Sequence, residues 1–109
     1  MEKISLRTVA EEQLALAREA PAGRAAVTPL GGTGRQLRHT LIALKAGARM
    51  TEHVSPGEAT VLVLTGRMRL ESDDEAVEAV NGELIVLPPT RQAAEAVEDS
   101  TVLLTVVKP

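Results

Sequence analysis

One stretch of the chain has a helical period and the rest has the rhythm of short strands. Leu6, Val9, Ala10, Leu14 and Ala17 recur at three-to-four spacing along one face, and Ser5 stands where a hydroxyl caps the first turn. Pro21 and Gly23 end the pattern. A helix is predicted over about 5–19. Beyond it, apolar runs at 25–27, 37–45, 59–64, 68–71, 76–80, 83–87, 93–97 and 101–107 are separated by turn residues. Strands this short and this evenly spaced predict an all-β sandwich or barrel over about 25–107.

The turns carry their own chemistry. Asn81-Gly82 lies between Val80 and Glu83 and predicts a two-residue hairpin, because both residues tolerate positive φ. Thr65-Gly66-Arg67 and Ser72-Asp73-Asp74 mark further reversals, and Pro88-Pro89 stops the run before it. Three runs are apolar on both faces: 61–64, 84–87, and 102–107 apart from Thr105. In a small barrel one face fills the interior, so the other needs a covering surface. The helix covers part of it, and a second copy of the chain is expected to cover another part, giving a homodimer.

Composition narrows the partners. At 109 residues a single domain, 1–109, is expected. No run approaches the roughly 20 apolar residues of a membrane helix, and the first residues interleave Glu2, Lys3, Arg7, Glu11 and Glu12 with apolar ones, unlike a signal peptide. A cytoplasmic protein is expected. The net charge of -3 argues against a nucleic-acid partner, whose phosphates select clustered Lys and Arg. Arg67 and Arg69 share one face of a predicted strand, and Arg35 and Arg38 lie close in sequence; both pairs read first as solvated strand faces, ahead of the alternative, a phosphate or carboxylate clamp. The chain has no cysteine and no Phe, Tyr or Trp. Its core must therefore be aliphatic, and no ligand can be held by stacking on an aromatic ring.

The segment 47–66 reads G-A-R-M-T-E-H-V-S-P-G-E-A-T-V-L-V-L-T-G. It resembles the first motif of the cupin family, in which a glycine, two histidines, a glutamate and a second glycine follow at fixed spacing. Gly47, His53 and Gly66 match, whereas Ser55 stands at the second histidine position and Ala59 at the glutamate position. In the second motif Gly82 and Pro88 match, Thr90 stands at the glycine position and Ala93 at the strict histidine position. The blocks 37–44, 56–60 and 98–106 resemble those of small single-domain, RmlC-like bacterial cupins, and the Arg-His pair of that group falls at Arg91-Gln92, so the resemblance puts Gln92 at the histidine position. The resemblance implies a cupin jelly-roll barrel, or double-stranded β-helix, with one N-terminal helix, and a homodimer.

The ligand positions decide what chemistry to expect. Iron, manganese or zinc needs at least three converging protein ligands, and the frame offers His53 with Gln92. Ser55 is a weak neutral ligand and Ala59 none; Glu58 and Glu52 fall on the opposite parity from the motif positions. His39 shares a face with Leu37 and Leu41, and it completes a loose metal set with His53 only if that face is the interior. A Ser55–His53 nucleophile lacks an orienting acid. The His–Tyr mechanism of cupin sugar epimerases is excluded by the absence of tyrosine. Gly31-Gly32-Thr33-Gly34 lacks the full phosphate-loop signature and reads as a turn entering the next strand. Two functions remain. The first is a noncatalytic small-molecule-binding or sensor module with His53, Ser55 and Gln92 as polar contacts and no cofactor. The alternative is a metal-dependent cupin enzyme, of dioxygenase or isomerase type, built around His53.

Overall fold

The computed structural model describes residues 1–53 and 57–108, with the backbone alone at 51–53. Helix α1 spans Leu6–Glu19, and the Ser5 hydroxyl accepts a hydrogen bond from the Thr8 N–H at its first turn. Nine strands follow: β1 Arg24–Leu30, β2 Leu37–Leu44, β3 Arg49–His53, β4 Glu58–Thr65, β5 Arg67–Glu71, β6 Ala76–Val80, β7 Leu84–Val86, β8 Gln92–Ala96 and β9 Ser100–Val107. They form two antiparallel sheets, one ordered β1-β2-β9-β4-β7 and the other β3-β8-β5-β6, the arrangement of a jelly roll. Among the described residues no helix is long and apolar enough to cross a membrane.

Side-chain alternation divides each sheet into an inner and an outer face. Ile42, Leu44, Val61, Val63 and Val102 from the first sheet meet Met68, Leu70, Ala79 and Ala96 from the second to fill the space between them. Burying each larger side chain contributes about 1.5–3 kcal/mol. On the outer face of the five-stranded sheet Leu41 and Leu103 pack instead against Ala10 of the helix, with Leu6, Val9, Leu62 and Leu64 around them. The helix therefore covers one patch of the doubly apolar sheet. The outer face of the second sheet is charged: Arg67 pairs with Glu78 and Glu98, and Arg69 with Glu71. These exposed pairs contribute little stability each; their consequence is a face that water wets.

At one end of the barrel four connections, β2–β3, β4–β5, β6–β7 and β8–β9, cross from one sheet to the other. The Asn81-Gly82 turn is one of them, so it does not close a hairpin: β6 and β7 belong to different sheets. Only Gly82 has positive φ, at 82°, and the Glu83 N–H donates to the Val80 carbonyl at 3.0 Å. That combination fits a type II turn, which needs the left-handed conformation at its second central residue alone. The Asn81 side chain, free of the role expected for it, accepts from the Gly66 N–H at 2.7 Å.

Gly66 is the tightest point of this closed end. Its φ is 94°, and a Cβ there would stand 2.3 Å from the Asp99 carbonyl oxygen and 2.8 Å from the Ser100 Cα. Ser100, fully buried, accepts from the Arg67 N–H at 3.0 Å through its hydroxyl. Asp99 binds the Ala46 N–H at 2.8 Å and the Arg18 guanidinium at 3.1 Å, which ties the helix and the β2–β3 corner to the β8–β9 corner. The Ala46 N–H, followed by Arg18, holds the Asp99 carboxyl below its usual pKa. Gly66→Ala is expected to destabilise the fold by about 2–4 kcal/mol, from the strained φ and the clash with backbone atoms. Chemical denaturation of both proteins measures it, and an unchanged midpoint would show that the corner relaxes freely.

Candidate functional site

The opposite end is the mouth of the barrel, where β3 ends beside the start of β8. Strand β3 pairs with β8 as Arg49↔Glu95 and Met50↔Ala94, and then as His53↔Gln92. Three steps along β3 thus correspond to two along β8, so one extra residue is accommodated between Met50 and His53. This bulge sets His53, and not Glu52, opposite Gln92. Simple parity along β3 could not reveal it. Ser55 lies outside the described residues, as does the side chain of His53.

Gln92 is on the inner face with Ala94 and Ala96, and it is only 5% exposed. Ala93 and Glu95 take the other parity. The inward residue at this point of the motif is therefore Gln92 and not Ala93. Its Nε2 donates to the Pro88 carbonyl and to the Thr90 carbonyl, the latter at 2.6 Å. Carbonyl oxygens only accept, so these two bonds fix which way the amide is turned. Oε1 points elsewhere and has no hydrogen-bond partner among the described residues. A buried acceptor in that state costs about 1–3 kcal/mol.

Beside this amide lies a cavity of about 30 Å³. Met50, Met68, Leu70, Leu87 and Leu104 are among the aliphatic residues that line it, and among the described lining residues Gln92 alone has a polar side chain. Met68 and Leu70 alternate with Arg67, Arg69 and Glu71 along β5, so their shared face is legible in the sequence, whereas Met50 is not legible as a wall residue, because β3 has no regular alternation of apolar and polar positions. The Pro88 and Thr90 carbonyls were likewise hidden, since backbone acceptors leave no mark on residue type.

His39 does not belong to this constellation. The inner positions of β2 are Ile42 and Leu44, whereas Leu41 packs on the helix side. His39 shares the face of Leu41, and its Nδ1 is 2.9 Å from the Thr105 hydroxyl. The sheet itself separates it from Gln92, which corrects the expectation that His39 joins a metal set. Ala59 is buried, while Glu58 is exposed. Among the described residues no group of three or more His, Cys, Asp or Glu side chains converges. An amide ligates a metal through its oxygen, and among the described residues that line the cavity at Gln92 no His, Cys, Asp or Glu side chain stands beside Oε1.

No protein-family model matches the chain, and no curated protein matches it. Solved structures do. A conserved protein of unknown function from Streptococcus pyogenes is 30% identical over 85% of this chain and 84% of its own, with a TM-score of 0.73. An RmlC-like cupin from Desulfovibrio desulfuricans is 25% identical over 77% of this chain and 81% of its own, with a TM-score of 0.68. This chain has the cupin fold. A salicylate 1,2-dioxygenase from Pseudaminobacter salicylatoxidans shares that fold at a TM-score of 0.77 and 17% identity, and the match takes in 92% of this chain but 33% of the dioxygenase. That likeness is one of fold, and activity must be argued from the site.

Proposed function

We propose that this cupin-fold protein is a noncatalytic small-molecule-binding module whose ligand is neutral, has a small apolar body and offers one hydrogen-bond donor to Gln92 Oε1. The observation that carries the reading is the buried Oε1, without a partner among the described residues, beside a cavity whose described lining is otherwise aliphatic. The cavity of about 30 Å³ exceeds what one water needs, roughly 10–15 Å³. A water there would find a single polar partner among the described lining residues, against about three for a typical buried water. A small molecule with one donor suits such a site better, since it satisfies the oxygen and leaves the aliphatic wall dry. His53, opposite Gln92 in register, and Ser55 are proposed as further polar contacts at the mouth.

Protein carrying ¹³C-methyl methionine reads this site directly. Titration with short primary alcohols is expected to shift the Met50 and Met68 resonances saturably, and Gln92→Leu is expected to remove the preference for an alcohol over the matching alkane. Equal responses to alcohol and alkane in the unaltered protein would overturn the reading. So would a stoichiometric metal that copurifies with untagged protein and is lost on His53→Ala.

We further propose that two copies pair through the part of the outer sheet face that the helix leaves open. Leu84 is 59% and Val86 75% exposed on the edge strand β7, with Val107 exposed two strands away. Leu62 and Leu64 continue the patch toward the helix. Glu58, opposite Val107 in register, is exposed on this face at the mouth end of the strip; between it and the helix the apolar positions of β4 and β7 form a face that is complementary to itself across a two-fold axis. Light scattering at micromolar concentration is expected to give the mass of two chains, and Val86→Arg the mass of one. A single-chain mass for the unaltered protein would refute the pairing.

A further inference from the structure

The β1–β2 connection, set aside as a turn on sequence grounds, acquires a partner in three dimensions. Leu37 pairs with Val107, and the Lys108 N–H donates to the Gln36 carbonyl at 2.9 Å. Lys108 is thereby brought beside Arg35 and Arg38, from which it is remote in sequence. Together with Gly32, Thr33 and Gly34 these three cations line an open pocket of about 550 Å³. No Asp or Glu is among its described lining residues.

The loop is built to keep this pocket open. Gly32 and Gly34 have φ of 105° and 85°, and a Cβ at either would meet no atom within 4 Å. Glycine is needed there for the left-handed backbone and not to relieve crowding. Gly31 has the opposite reason: a Cβ would come within 3.0 Å of Thr28 and 3.2 Å of the Arg38 Cγ. Its bare backbone lets the Arg38 side chain lie across the loop.

The electrostatics set this place apart. Arg18, Arg67 and Arg69 each have a carboxylate within 4 Å. Among the described residues no ion pair involves Arg35, Arg38 or Lys108. Among the described residues three like charges are thus gathered without a counter-charge, in a chain whose net charge is -3. Such an arrangement repels itself unless an anion enters it.

We propose that this pocket binds the phosphate group of a small molecule. Two guanidinium forks and an ammonium match the oxygens and the double negative charge of a phosphate, and left-handed glycine turns present backbone N–H groups to anions. The pocket shares no lining residue with the cavity at Gln92. It therefore stands or falls separately from the proposed function.

The test is a titration of ¹⁵N-labelled protein with inorganic phosphate, with chloride adjusted to hold ionic strength constant, and a parallel titration with acetate. Saturable shifts of the Gly32, Thr33, Gly34 and Arg35 amides are expected with phosphate and weaker ones with acetate. In R35Q/R38Q the affinity is expected to fall by about tenfold or more, the loss of two charge-assisted contacts, with the spectrum unchanged away from the loop. Should that variant not fold, Lys108→Gln carries the same expectation of weakened binding. Absence of saturation, acetate binding as tight as phosphate, or unchanged affinity in the variants would overturn the proposal.

Discussion

Everything in this barrel hangs on the closed end, where Gly66 is pressed against the backbone of Asp99 and Ser100. Two sheets of aliphatic side chains have no directional chemistry to set their relative position. The corner supplies it. Gly66 donates to Asn81, Arg67 donates to the buried hydroxyl of Ser100, and Asp99 reaches across to Ala46 and Arg18. All four sheet-crossing connections and the C-terminal end of the helix are joined by these contacts. Only glycine can approach so closely at positive φ, so Gly66, the last residue of the 47–66 motif, is a backbone requirement of the jelly roll before it is anything else; Gly47, the first, supplies a left-handed turn with open space around it.

Fixing one end leaves the other free to differ. The mouth holds the bulge between Met50 and His53, the Pro88-Pro89 loop, the buried amide of Gln92 and the cationic pocket around Lys108. None of these features is needed to hold the sheets together. An oxygen without a partner and a cluster of like charges are both costs to the fold, and both occur where the closed end does not depend on them. This division between a structural end and a variable end is how one jelly roll can host unrelated sites.

The helix and most of the strands were legible because their signals are local. Ser5 and the three-to-four spacing of Leu6, Val9 and Ala10 specify a helix without reference to anything distant. The partition into sheets was not legible: Asn81-Gly82 has the composition of a hairpin, but whether the next strand folds back or crosses over depends on what pairs with β4. His39 was ambiguous for a related reason. Strand β2 is apolar on both faces, so alternation alone could not say whether Leu41 or Ile42 faces the interior. Counting from Pro88 points to Ala93, and only the resemblance, through an Arg-His pair that falls at Arg91-Gln92, picks out Gln92; the direction of its amide depends on two backbone carbonyls. The meeting of Lys108 with Arg35 and Arg38 is a product of β2–β9 pairing, which no local pattern reports.

Native-state hydrogen exchange tests the central claim most directly, because it reads the opening free energy of each amide separately. The account predicts that Gly66, Arg67, Gly82 and Val97, whose N–H groups are bonded at the closed end, exchange only through global unfolding. The amides of Leu87 and Lys108, bonded at the mouth, are predicted to exchange through smaller local openings. Corner amides that exchange as readily as those at the mouth would contradict it.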